Sequence, residues 1–147
     1  MDSDAGPPAE LSTCAHADAH EALAAAPGPA PVYAYQFRDR TASPLADFPV
    51  PGYPEDAQHG VELPYLFPGP FGAPLTPEQQ ELSATTVRYW TTFAATGDPN
   101  GSGVPGWHRY RDAGDVQGLD VASAGGVGPV DVAAGSNCSF WASLARA

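Results

Sequence analysis

The chain has 147 residues, enough for one domain with a real core and too few for two. Only 16% of them are charged, and 17 Asp plus Glu against 6 Lys plus Arg give a net charge of -11, which argues against nucleic acid as a partner. No apolar run approaches the length needed to span a bilayer, so no membrane partner is expected either.

The start, Met1-Asp2-Ser3-Asp4-Ala5-Gly6-Pro7-Pro8, has neither a basic n-region nor an apolar h-region, so no signal peptide is read in it. Residues 1–13 are polar and read as an irregular segment, set apart from 14–147. Ala15 to Ala26 is an alanine-rich run closed by Pro27-Gly28-Pro29, which predicts a short helix capped by Ser12 or Thr13 and stopped at Pro27. Within it, Cys14-x-His16-x3-His20 could set two imidazoles on one helical face. No fourth ligand is evident, so the expectation is a solvated face and no metal. Cys14 and Cys138 stand near opposite ends without a Cys-x-x-Cys pattern and read as a pair joining the termini. An oxidisable pair without an export signal suggests a piece of something longer.

Pro31 to Phe37 is short, apolar and aromatic, and predicts a strand buried on both faces, as in a sheet covered by helices on each side. From Thr41 to Pro54 the chain is Pro-rich and aperiodic, a loop that delivers it to His59. Histidine is the side chain whose ordinary pKa lies nearest neutrality, so one on a loop between buried elements can move protons. Beside a lone glycine, though, it is more often an ordinary loop residue.

The clearest helix follows. Thr76-Pro77-x-Gln79 is a capping-box start with proline in the first turn, Leu82, Thr86, Tyr89, Trp90, Phe93 and Ala94 mark one face, and Gly97 is the stop. Asp98-Pro99 predicts a turn, Trp107 a ring laid against the domain, and Leu119-Asp120-Val121 and Val130-Asp131-Val132 two weak strands.

Taken together, these strings resemble a known family. His59-Gly60-x-Glu62-Leu63-x-Tyr65-x-Phe67 resembles the segment bearing the triad histidine in type-B carboxylesterases and cholinesterase-like α/β-hydrolases. Tyr89-Trp90-x-x-Phe93-Ala94, then Gly97-Asp98-Pro99-Asn100 and Pro105-x-Trp107, look like that family's C-terminal signature, and Cys138-Ser139-Phe140-Trp141-x-x-Leu144 resembles its ending. The resemblance runs from Cys14 to Leu144 and covers only the C-terminal portion of such an enzyme. It implies an α/β fold: the C-terminal part of an α/β-hydrolase, with an incomplete central sheet and a long amphipathic helix. It also implies a disulfide between Cys14 and Cys138, His59 as general base, no cofactor, and a full-length parent that is secreted.

Acyl transfer of this kind further needs a serine on a Gly-x-Ser-x-Gly elbow, an orienting carboxylate, and glycine-rich oxyanion donors. No serine here is so flanked, and no His-Gly-Gly-Gly run occurs. The family's order is serine, acid, histidine, which places the missing parts upstream of Met1. Glu62 follows His59 and is therefore not assigned as the acid. The expectation is a carboxylic ester hydrolase fragment that meets an ester substrate only when completed by an N-terminal portion. The alternatives are a non-catalytic cholinesterase-like interaction domain and an unrelated acidic binding module.

Overall fold

A computed structural model describes residues 12–28, 30–44, 57, 59–67, 69 and 73–144. Helix α1 spans Thr13–Ala25; the Ser12 hydroxyl accepts the Ala15 N–H at 3.1 Å, and the backbone turns extended at Ala26, just before Pro27. The expected cap and stop are thus both in place.

Strand β1 covers only Tyr35–Phe37, shorter than the strand expected from Val32 onward, and it is not buried on both faces: Tyr35 is 41% exposed. The reason lies in how the segment is tethered. The Val32 carbonyl accepts the Tyr110 N–H and the Ala34 carbonyl accepts the Gln117 N–H, so 32–34 is held extended before the ladder begins. Strand β2, Val116–Leu119, is buried throughout. Gln117 donates to Ala34 and Arg38 donates to Leu119, so pairing advances along both strands in the same sense and β1 and β2 are parallel. Strand β3, Gly128–Val130, completes a sheet of order β1-β2-β3. Both later strands lie a few residues before the stretches 119–121 and 130–132 expected for them. Asp120 falls just past β2, and Asp131 ends the extended run by accepting the Ala134 N–H as cap of α4, Val132–Gly135.

Helix α2 is a single turn, Leu63–Leu66. Helix α3, Pro77–Thr96, opens with the full capping box: Thr76 Oγ1 accepts the Gln79 N–H, Gln79 Oε1 accepts the Thr76 N–H, and Gly97 closes the helix at φ 75°. That positive φ is why glycine stands there. The buried face is the expected one at Leu82, Thr86 and Tyr89, but it begins earlier, at Gln79, and ends before Phe93. Gln79, Leu82, Ser83, Thr86 and Tyr89 are buried, whereas Phe93 is 45% exposed and Ala94 is exposed. Polar side chains take the inner positions near the N-terminus because each finds a partner there. Trp107 packs edge-on to Tyr89, centroids 5.0 Å apart, and against Trp90, while Asp98 Oδ1 accepts the Asn100 N–H in the expected turn.

Helix α5 is Cys138–Leu144, and Cys138 is bonded to Cys14 with Cα atoms 5.5 Å apart, so the disulfide joins α1 and α5 as the resemblance implied. The described residues pack as two units. One holds those of Phe37–Trp107 and Gly118–Gly128; the other holds those before Phe37, His108–Gln117 and those after Gly128. The second unit has its own core of Ala34, Tyr110, Val116 and Val132, with Val32, Ala113 and Val130 packed on it. No helix among the described residues is long and apolar enough to cross a membrane.

Candidate active site

His59 opens a turn over residues 59–62 that leads directly into α2, and its imidazole is exposed. Gly60 makes the turn with φ 91°, a left-handed conformation that a residue with a Cβ adopts only under strain, and its carbonyl accepts the Leu63 N–H at 3.0 Å. Val61 is buried at 2% exposure, so the residue two after the histidine pins the turn while the histidine faces solvent. Glu62 caps α2 through its backbone: its carbonyl accepts the Tyr65 N–H, and its side chain makes no cap bond. No hydrogen bond or ion pair joins His59 to a carboxylate among the described residues. Glu62 therefore has the local backbone role.

What holds the turn is the next helix. Tyr65, six residues after His59, has its phenol buried and donates it to Asp39 Oδ2. Gln79 Nε2, from the first turn of α3, donates to the same oxygen at 3.1 Å. The other carboxylate oxygen accepts the Thr41 N–H at 2.8 Å and the Thr41 hydroxyl at 2.6 Å. Asp39 is 0% exposed, so a charged group sits fully inside with four donors aimed at its two oxygens. From the other side, the Ser83 hydroxyl of α3 donates to the Tyr65 carbonyl at 2.6 Å, and the Phe37 ring meets the Tyr65 ring edge-on at 4.9 Å. The end of β1 and the start of α3 thus clamp α2, and α2 fixes where the histidine turn begins.

The electrostatics of the clamp follow from its burial. Desolvation pushes the Asp39 carboxyl up, but the bonds from Thr41, Tyr65 and Gln79 together outweigh it and hold the group below its ordinary range. Burial, the bond to Asp39 and the negative charges of Asp39 and Asp120 all push the Tyr65 phenol up, so it stays protonated and donates. Asp120 lacks such a set of donors. Burial raises it, the Val121 N–H partly opposes this, and the charge of Asp39 raises it further.

The sequence pattern described as the Carboxylesterase family matches residues 10–132. The chain belongs to the carboxylesterase family. Among the curated relatives, the medium-chain fatty acyl-CoA hydrolase precursor of Anas platyrhynchos is 42% identical over 81 residues, covering 54% of this chain and 14% of the relative. The human cocaine esterase is 41% identical over 84 residues, 55% of this chain and 14% of that protein. Chicken acetylcholinesterase is 42% identical over 92 residues, 56% of this chain and 11% of its own length. The match thus spans about one seventh or less of the length of these relatives. The fold is the part of an α/β-hydrolase that the resemblance implied, with a small incomplete sheet and one long amphipathic helix.

The motif around His59 is contiguous in the sequence, whereas the bonds that hold its turn are not. Asp39 lies between Arg38 and Arg40 and reads as the charged end of a strand, while its partners Tyr65 and Gln79 are 26 and 40 residues away. The one local signal was the charge itself, two residues past a strand predicted to be buried. His16 and His20 lie on α1, in the other unit, and take no part in this site.

Proposed function

We propose that this chain supplies the histidine base of a serine-dependent carboxylic ester hydrolase, with His59 as the group that moves the proton. The observation that carries the reading is the run from His59 to Phe67 in a member of the carboxylesterase family: an exposed imidazole on a glycine turn, with the residues after it clamped through a buried Tyr65–Asp39 bond. In such an enzyme the imidazole takes the serine proton as Oγ attacks the ester carbonyl, then returns it to the leaving alkoxide. It repeats the exchange with water to release the acid. A base used twice in one turnover has to stay in one place, and the clamp supports that.

The 147 residues contain neither a Gly-x-Ser-x-Gly elbow nor a glycine-rich oxyanion run. In this reading a further polypeptide portion brings both, and the chain by itself is inactive. General-base help alone is worth about 10² to 10⁴-fold, whereas acyl transfer also needs the nucleophile and the oxyanion donors. The names of the relatives support a carboxylic ester as the substrate class.

The test pairs the chain with the preceding portion of a carboxylesterase. Alone, it should hydrolyse p-nitrophenyl acetate no faster than free imidazole and should resist labelling by a fluorophosphonate. Paired, it should turn over the ester and lose that activity to the fluorophosphonate. Labelling of the isolated chain would overturn the assignment of the missing parts. A paired complex that assembles but stays inactive would favour an interaction domain.

A further inference from the structure

Helix α1 carries two imidazoles one turn apart, and both His16 and His20 line a cavity of about 130 Å³ shared with Thr13, Gln36 and Val132. His20 rests edgewise on Tyr110, ring centroids 5.3 Å apart and planes at 64°, so packing fixes the ring. Its Nδ1 is buried and has no hydrogen-bond partner. With Nδ1 shut from solvent, Nε2 is the nitrogen left to coordinate a ligand. His16 is exposed.

Cys14 is tied to Cys138 and is no longer a donor, and no group of three or more His, Cys, Asp or Glu side chains fit for a metal occurs among the described residues. The described residues therefore form no closed structural zinc site. What the spacing of four residues does provide is a two-point chelate, since Cβ atoms so placed on one helical face stand about 5–6 Å apart. Imidazole suits zinc, nickel and copper, and waters can fill the remaining positions.

The chain as a whole carries a net charge of -11, which favours the approach of a cation.

We infer that His16 and His20 form an open, exchangeable site for a divalent cation of the zinc, nickel and copper class, bound through one nitrogen of each imidazole. The site is independent of the ester-hydrolase reading and needs no part of it.

The test uses the full oxidised chain. Titration with ZnCl2 by calorimetry in a non-chelating buffer should show one saturable site, weakened about tenfold or more in His16→Ala, as loss of a ligand requires. His16 is exposed, so that variant should keep the circular dichroism of the parent. His20→Gln should lose binding as well; if it also loses helix content, His16→Ala decides alone. With one equivalent of CuCl2, electron paramagnetic resonance should show coupling to two imidazole nitrogens. His59→Gln and His108→Gln should bind zinc within about twofold of the parent, the tolerance expected of residues outside the site. Absence of saturable binding up to about 1 mM, where affinity falls to roughly 4 kcal/mol, would overturn the inference. So would unchanged binding in His16→Ala, or equal losses in His59→Gln or His108→Gln.

Discussion

Replacing Asp39 by asparagine tests whether the histidine turn is held by a buried carboxylate. Each oxygen of Asp39 faces two donors: Thr41 N–H and hydroxyl on one side, the Tyr65 hydroxyl and Gln79 Nε2 on the other. An amide has one acceptor oxygen, so its NH2 must oppose one of these pairs whichever way it turns. A hydroxyl can rotate and accept, but the Thr41 N–H cannot, and Gln79 cannot flip to help because its Oε1 already accepts the Thr76 N–H. Hydrogen bonds to a charged group are worth about 1.5–3 kcal/mol each, and a stranded buried donor adds about 1–3 kcal/mol. Asp39→Asn should therefore cost about 3–5 kcal/mol, a large share of the ~5–15 kcal/mol that holds a typical domain. Tyr65→Phe removes one donor of four and should cost less, about 1.5–3 kcal/mol. Urea unfolding followed by tryptophan fluorescence, with Trp90 and Trp107 in the same unit as the clamp, measures both. With a urea slope of about 1–3 kcal/mol per molar, Asp39→Asn should move the midpoint by at least ~1 M. A shift too small to resolve, or a larger loss in Tyr65→Phe than in Asp39→Asn, would refute the reasoning.

Other outcomes follow from the same structure. Reducing the Cys14–Cys138 bond frees a loop with a sequence separation of 124 residues and should lower stability by roughly 5 kcal/mol in the chain-entropy model, read as a fall in the urea midpoint on adding dithiothreitol. The two buried acids should pull in opposite directions with pH. Asp39, held low, contributes stability that is lost as pH falls through its folded pKa, whereas Asp120, held high, contributes stability that is present in acid and lost as pH rises through its folded pKa. Asp120→Asn keeps an acceptor for the Val121 N–H and removes the like charge beside Asp39, so its stability at pH 7 should equal or exceed the parent's; a loss there would contradict the assigned cause. Leu23, Phe67, Phe93, Phe140 and Leu144 are each at least 45% exposed, so the isolated chain should bind ANS with a blue-shifted emission, and no enhancement would show that these side chains are covered in solution.

The parts of the fold legible in the sequence were those set by local chemistry. Ser12, Pro27, Thr76, Gln79 and Gly97 marked the ends of α1 and α3 because a cap or a stop depends on residues within one turn. The strands were displaced because composition around Leu119 and Val130 shows apolar content without showing which residues pair, and Asp131 was drawn into a cap. The inner face of α3 was legible at Leu82, Thr86 and Tyr89 but not at its polar start, for a related reason. Gln79 and Ser83 are buried by partners on distant segments, and a polar residue whose partner is remote reads as solvent-facing. The motif around His59 was legible because its residues are contiguous. Asp39 was not, because the Tyr65 and Gln79 donors that let a charge sit at 0% exposure come together only in the fold.

The claim that His59 is the base is tested most directly by its own substitution in an active assembly. With the chain joined to the nucleophile-bearing portion of a carboxylesterase, His59→Ala should lower kcat for p-nitrophenyl acetate by about 10³-fold or more while KM changes only a few-fold, since the imidazole acts in the transition state and not in substrate binding. An assembly in which His59→Ala keeps kcat within a few-fold of the parent would contradict the account.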